Sequence, residues 1–208
     1  MNKIARAIAT AALTLASVIA ATAQKPDQTL KNVIDKINNA PSVTLSFTLD
    51  TGDQNMAGQL TAAGNRFVIT TDDGSFDTRF DGTTQWTWSQ ASGEVSMTTP
   101  TPEEIRETNP IEIIRTAPAI YNAAITQKTP QSVTLTLTPR NPRNTDIKEA
   151  LLKIALPANI PQHLEVIMKD AQTMRFTFSN FTTGNKTSPR LFRYDPSLHP
   201  GAEIIDLR

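Results

Sequence analysis

A change of apolar periodicity at Ser42 constrains the fold of this chain more than any other feature. From Val43 to Asp50, apolar and polar residues alternate, which is typical of an antiparallel strand with one face in water. Similar segments follow, separated by short turns rich in Gly and Asp, so the pattern predicts an up-and-down meander. The predicted strands are Ser42–Asp50, Met56–Ala62, Arg66–Thr71, Phe76–Phe80, Thr84–Ser89 and Glu94–Thr99.

Helices are predicted on both sides of this meander. Apolar residues recur at helical spacing over Pro26–Asn39, which indicates a helix with one apolar face. After the meander, Thr101 and Pro102 resemble a capped helix start, and a second short helix is predicted over Pro110–Tyr121 with an interruption at Pro118. The strands predicted after the helices are Ser132–Thr138, Leu151–Leu156, His163–Lys169 and Met174–Phe181.

This order of elements predicts a mainly β fold of the α+β class. A sheet that is apolar on one face must cover that face, and this chain offers only short helices for the purpose. We therefore expect a curved antiparallel half-barrel with a helical lid over an apolar cavity, the usual shape of a site for an apolar ligand. No repeat or low-complexity linker interrupts residues 24–208, which are expected to form one domain.

The first residues predict export. Lys3 and Arg6 precede an uncharged run, Ala7–Ala23, that ends in a small-x-small site, and this pattern is typical of a signal peptide cleaved after Ala23. The next residue is Gln24 and the chain contains no Cys, so we expect no lipidation and no disulfide. Without Lys3 and Arg6 the chain has 18 basic and 20 acidic residues, a balance that offers nucleic acid no basic surface.

No segment carries a convincing catalytic motif. Asp50-Thr51-Gly52 matches the aspartic-protease tripeptide, but that chemistry needs two carboxylates sharing a proton, and hence a homodimer. Asp53 would add a charge beside such a pair, and a hairpin turn is the favoured interpretation. His163 and His199 have no acidic or hydroxyl partner at a recognisable spacing. We expect no enzyme activity, no metal site and no cofactor.

Several local sequences, in their order, carry a family resemblance. They are an Asp-Gly turn leading into an aromatic strand, the strand after it, a strand entry and a C-terminal phrase: Phe80–Trp88, Gly93–Met97, Asn65–Phe67, Phe192–Pro196 and Pro200–Asp206. Together they resemble the bacterial outer-membrane lipoprotein carrier family, LolA with its membrane-anchored relative LolB. The resemblance covers most of the chain after the signal peptide.

The resemblance implies a soluble periplasmic carrier. Such a protein binds the acyl chains of a lipoprotein or lipid cargo, takes the cargo from an inner-membrane ABC transporter and passes it to an outer-membrane acceptor. We expect a monomer. The alternative is a periplasmic domain on the same fold that senses lipid or lipoprotein and regulates a partner.

One stretch departs from the family pattern. The best-known members carry a basic residue and Pro just before the strand-entry Phe, and that Arg holds the lid shut by hydrogen bonds. This chain has Ala62–Asn65 there. Arg66 adjoins Phe67, so strand alternation predicts that Arg66 points to the opposite face.

The predicted cavity wall consists of apolar residues on the candidate strands and on the lid. Core packing is the alternative for each of them, whereas the two Trp residues, which share one face, suit the smooth wall of a cavity better than a crowded core. The candidate ligand-binding residues are Phe47, Phe67, Ile69, Trp86, Trp88, Val95, Met97, Ile105, Ile113 and Ile114.

Overall fold

The computed structural model describes residues 26–184 and 186–208, and the strands of these residues form one twelve-stranded sheet. The signal peptide predicted for residues 1–23 lies outside the described residues. The strands are β1 (Ser42–Asp50), β2 (Asn55–Ala63), β3 (Arg66–Thr71), β4 (Phe76–Phe80), β5 (Gln85–Ser89), β6 (Glu94–Thr98), β7 (Tyr121–Lys128), β8 (Ser132–Pro139), β9 (Ile147–Ala155), β10 (Ile160–Met168), β11 (Thr173–Gly184) and β12 (Glu203–Asp206).

The sheet joins two antiparallel meanders. Its order is β12-β6-β5-β4-β3-β2-β1-β11-β10-β9-β8-β7, so β1 and β11 connect the first meander to the second. β12 pairs with β6 in parallel, which makes the sheet mixed rather than purely antiparallel as predicted. β7 and β12 are the two edges, and the sheet is neither closed nor strongly curled. The predicted class, mainly β with short helices, is confirmed, whereas the predicted curved half-barrel is not, because the twelve strands form an open sheet without strong curl.

The strands of the first meander begin and end within one residue of their predicted limits. β7 was not predicted, because Ala123 and Ala124 weaken its alternation and alanine is a poor strand former. The predicted interruption at Pro118 is wrong, since one helix runs through it. Pro118 lies in the last turn of that helix, where a missing backbone N–H costs a single hydrogen bond.

The α-helices of the described chain are α1 (Pro26–Asn38), α2 (Pro102–Thr108) and α3 (Pro110–Ile120). A capping box starts α2, because the Thr101 hydroxyl accepts from the Glu104 N–H while the Glu104 carboxylate accepts from the Thr101 N–H. Asn109 ends α2 and also begins α3 by accepting from the Ile111 N–H. Short 3-10 helices lie at Pro142–Asn144, Pro189–Phe192 and Pro196–Leu198. Within the described ranges, no helix has the length and apolar character needed to cross a membrane.

The helices cover one part of one sheet face. α1 contacts β7 and β10, and α3 contacts α1 and β7, so the main core lies between these helices and the second meander. The buried side chains there belong to the apolar face of α1, to α3 and to the inward positions of the strands: Leu30, Val33, Ile37, Ile111, Ile114, Val133, Leu135, Leu137, Leu152, Ile154, Leu164 and Val166. We call this helix-bearing side the inner face.

The C-terminal segment before β12, residues 189–199, packs on the outer face of the first meander. Phe192 is fully buried there in a cluster with Ala63 and Val68. The Arg66 guanidinium carbon lies 4.9 Å from the centroid of the Phe192 ring. Arg66 therefore points away from the inner face, as strand alternation predicted.

Candidate functional site

The helices leave the inner face of the first meander partly uncovered. A cavity of about 410 Å³ lies there, within the range of small-molecule sites in proteins. We call it the trough. Its wall is formed by inner-face residues of β1–β5 and β11 and by the junction between α2 and α3: Phe47, Leu49, Met56, Leu60, Ile69, Thr71, Phe76, Thr78, Gln85, Thr87, Thr108, Pro110, Met174 and Phe176.

The apolar part of the trough depends on a glycine in β2. Phe47 pairs with Gly58 across the strands, and a Cβ on Gly58 would lie 2.9 Å from Phe47 Cζ and 2.1 Å from the Thr70 carbonyl oxygen. Only a residue without a side chain fits there, so the Phe47 ring can lie close to the backbone of β2. We therefore expect Gly58 to set the position of the Phe47 ring in the wall of the trough.

The opposite wall is polar. The Thr78 hydroxyl donates to the Thr87 hydroxyl at 3.4 Å, and Gln85 Nε2 donates to the same oxygen at 3.4 Å. Gln85 Oε1 is buried and accepts no hydrogen bond from the described residues. The polar side chains on this side of the trough therefore bond to one another.

A second cavity, the cleft, opens beside the trough. It measures about 550 Å³ and shares Gln85 and Thr108 with the trough, while its other lining residues are mostly polar: Thr98, Thr99, Pro100, Glu104, Leu207 and Arg208. Hydrogen bonds from the Thr101 backbone N–H and hydroxyl lower the pKa of the Glu104 carboxyl below its usual value. The Arg208 guanidinium pairs with Asp206 at 2.8 Å.

Arg115 fastens α3 to the rest of the molecule. Its guanidinium donates to the Gly64 carbonyl at 2.5 Å, in the β2–β3 turn, and to Asn38 Oδ1 at 3.0 Å, at the end of α1. It also pairs with Glu112 on α3 at 2.6 Å. We call these contacts the Arg115 clasp. An arginine on the helix thus reaches the turn at which the best-known members of the resembled family carry a basic residue on the strand.

The structure brings two of the predicted site residues into the trough, Phe47 and Ile69. Phe67, Ile113 and Ile114 are at most 2% exposed and belong to the core. Ile105 is partly buried against the same core.

The other four predicted residues lie on the outer face. Gln85 and Thr87 line the trough, so alternation along β5 turns Trp86 and Trp88 the other way. Met97 is the cross-strand neighbour of Trp86, and Val95 that of Trp88. The C-terminal segment covers Trp88, whose ring stacks on His199 with centroids 4.4 Å apart, and Val95 is fully buried.

Sequence reasoning overlooked most of the trough. The missed residues are Leu49, Met56, Leu60, Phe76, Gln85, Thr87, Met174 and Phe176 among others. Alternation already placed Leu49 on the same face as Phe47, and it placed Met56 and Leu60 on one face of β2. The sequence did not indicate whether the odd-numbered or the even-numbered residues of β5 face the helices.

The possible catalytic residues have structural roles. The Asp50 carboxylate accepts from the Gly52 N–H at 2.7 Å, and Gly52 has φ of 87°, so this motif forms the β1–β2 turn. His163 shares a hydrogen bond of 3.1 Å with the Thr177 hydroxyl. Burial, with the nearby Lys153 charge, lowers the pKa of His163. Over residues 26–184 and 186–208, no group of three or more His, Asp or Glu side chains is arranged to hold a metal ion.

Comparison with known proteins gives one family. A model described as outer membrane lipoprotein carrier protein LolA matches residues 16–185, more than half of the chain. No curated protein is significantly similar to this chain in sequence.

Two solved structures share the fold at low identity, and a third is a weaker match. An uncharacterized conserved protein from Thermus thermophilus is 11% identical with a TM-score of 0.57, covering 86% of this chain and 98% of that one. A DUF1329 family protein from Desulfovibrio piger is 8% identical with a TM-score of 0.50, covering 85% and 99%. A LolA superfamily protein from Nitrosomonas europaea is 10% identical with a TM-score of 0.44, covering 82% and 98%.

Proposed function

Because the chain belongs to the outer membrane lipoprotein carrier family LolA, we propose that it is a periplasmic carrier that holds lipoprotein acyl chains in the trough. The observation that supports this most directly is an apolar trough left open on the inner face beside the α2–α3 junction. In this proposal α2 and α3 form the lid, and Phe47 and Ile69 contact the acyl chain. Residues 24–208 act as one ligand-binding domain.

The energetics of burial define how such a carrier must work. Each methylene taken out of water contributes about 0.8 kcal/mol, so an acyl chain of about 15 carbons contributes roughly 12 kcal/mol. A carrier that held its cargo that tightly could release it only to a site of similar affinity. The exchange between transporter, carrier and acceptor is therefore close to neutral, and the opening of α2 and α3 shifts the balance.

The partners follow from this scheme. The donor is an inner-membrane ABC transporter, the recipient is an outer-membrane acceptor, and the carrier works as a monomer without a cofactor or an enzymatic step. Export by a signal peptide cleaved after Ala23, without lipidation of Gln24, supplies the free protein.

Native mass spectrometry of the protein purified gently from the periplasm tests the proposal. We expect a co-purified acylated peptide or lipid with the wild type, and its loss in Leu49→Glu, which places a charge in the trough. Thr48→Glu is the matched control, because Thr48 is exposed on the other face of β1.

The carrier role would be contradicted by a protein without any bound mass that also takes up no lipoprotein from a loaded membrane. Lipid loss in Thr48→Glu equal to that in Leu49→Glu would contradict the trough as the binding site. Lipid binding without delivery to an acceptor membrane would favour the sensing domain instead.

A further inference from the structure

Two methionines belong to the wall of the trough. Met56 lies on β2 and Met174 on β11, and both line the cavity. These strands flank β1, where Leu49 pairs with Met56 on one side and with Phe176 on the other. Met174 is two residues from Phe176 on the same strand, so the two side chains point to the same face. The trough therefore carries a thioether on each side of Leu49.

Both methionines are accessible from water. Their side chains are partly exposed, and the trough that they line is open on the inner face. A small oxidant dissolved in water can therefore approach them through the trough. The chain contains no Cys, so methionine is its only sulfur-containing residue.

Peroxide converts such a thioether to a sulfoxide. A sulfur lone pair attacks one oxygen of hydrogen peroxide, and an S–O bond forms as the O–O bond breaks. The departing hydroxide takes up the proton left on the transferred oxygen and leaves as water. The sulfur gives up two electrons and the peroxide accepts them. An apolar, flexible side chain thereby becomes a polar one.

A sulfoxide oxygen in this part of the trough has no donor ready for it. The neighbouring side chains of Leu49 and Phe176 carry no N–H or O–H group. The Thr71 hydroxyl, which also lines the trough, is already bonded to Ser75 and Phe76. Water can solvate the oxygen while the trough is empty, but an acyl chain displaces that water and leaves the oxygen unpaired, which is unfavourable. Oxidation therefore penalises the loaded state more than the empty one.

We propose that Met56 and Met174 form a reversible oxidation site, through which peroxide lowers the affinity of the trough for acyl chains. This rests on the proposed carrier function and adds a means of regulating the same site. Reduction of the two sulfoxides by a methionine sulfoxide reductase restores the binding surface.

Calorimetric titration with a palmitoylated peptide that lacks Met and Cys, before and after treatment of the protein with hydrogen peroxide, tests this. We expect oxidation to weaken binding by the wild type at least about tenfold, as one unpaired polar group in an apolar site implies. In Met56→Leu/Met174→Leu, peroxide should no longer change the affinity, whatever its value before treatment.

The chain supplies a matched control pair. Met97 and Met168 are partly exposed like the trough pair, but Met97 lies on the outer face beside Trp86 and Met168 ends β10. Met97→Leu/Met168→Leu removes the same number of thioethers outside the trough. Peroxide should weaken its binding by the same factor as in the wild type.

Mass spectrometry of proteolytic peptides gives a second readout on the wild type alone. Bound palmitoylated peptide should slow the formation of sulfoxide at Met56 and Met174, because the acyl chain covers them. It should leave the rates at Met97 and Met168 unchanged.

The outcomes separate the two proposals. Unchanged affinity after oxidation of Met56 and Met174, no sulfoxide at these positions in the empty protein, or an equal loss of affinity in Met56→Leu/Met174→Leu would each overturn the oxidation site and leave the acyl carrier intact. Failure of the untreated wild type to bind the palmitoylated peptide would overturn both. If the double variant does not fold, the wild-type protection experiment decides, and equal oxidation rates with and without the ligand reject the site.

Discussion

Replacing Gly58 with alanine should destabilise the protein and narrow the trough. The new Cβ would lie 2.1 Å from the Thr70 carbonyl oxygen and 2.9 Å from Phe47 Cζ. The Thr70 oxygen is part of the backbone, so it can move only if β2 and β3 shift against each other. Overpacking of this kind lowers the free energy of unfolding by about 1–3 kcal/mol.

A smaller effect opposes this cost. Alanine restricts the unfolded chain more than glycine does and stabilises by about 0.4–1 kcal/mol. Because the closest contact is to the backbone, the steric cost should lie near the top of its range, and the net loss should be about 2 kcal/mol. For a chain of this size the melting temperature should fall by about 4–8 °C.

Urea denaturation with fluorescence detection measures the change, and an unaltered dependence on urea shows that the denatured state is the same. Gly93→Ala is the control, since a Cβ there meets nothing within 4 Å and the strain comes only from its φ of 71°. The free energy of unfolding of Gly93→Ala should fall by about 1 kcal/mol. Phe47→Leu should cost less stability in the Gly58→Ala background than in the wild type, because it removes one of the two clashes.

The refuting result is clear in this case. If Gly58→Ala is as stable as the wild type, or if it binds palmitoyl ligands with undiminished affinity, then Gly58 does not set the position of the Phe47 ring. The trough would then owe its depth to other contacts.

Three further predictions concern other contacts. Arg115→Met should speed hydrogen exchange in α3 and destabilise by about 1–3 kcal/mol, because the Gly64 carbonyl loses its donor; unchanged exchange would mean that the Arg115 clasp does not hold the helix. Asp77→Asn should lower the free energy of unfolding in urea by about 3 kcal/mol, because its partner Arg79 is 11% exposed and keeps its charge. A loss of stability smaller than that caused by breaking an exposed ion pair would contradict this. Leu45→Ala should cost about 2–5 kcal/mol, because Leu45 is fully buried, and a stable variant would show that the core collapses around the gap.

Local sequence patterns predicted most elements of the fold. Alternation located β1–β6 to within one residue, because side chains on a strand point to opposite faces with a period of two. Helical spacing located α1, whose apolar residues Leu30, Val33 and Ile37 are all buried. β7 was missed because the adjacent Ala123 and Ala124 weaken its alternation. Pro118 was wrongly taken as a helix breaker, since it lies in the last turn of α3.

The site was much less predictable. Phe47 and Ile69 were placed in the trough, but the choice of Trp86 and Trp88 assumed that the larger side chains of β5 face the helices. The structure turns Thr87 and Gln85 to that side. Alternation fixes which residues share a face and says nothing about what covers it.

The sequence by itself determined the limits of β1–β6 and α1, and which side chains of each of those strands lie together, because both depend on neighbours along the chain. Only the tertiary structure decided which face of the first meander became the trough. That choice depends on distant segments: α1 and α3 cover one face over the second meander, and residues 189–199 cover the other over the first. Contacts between residues so far apart in sequence leave no periodic signal, so the inner and outer faces of β5 could be told apart only in the folded molecule.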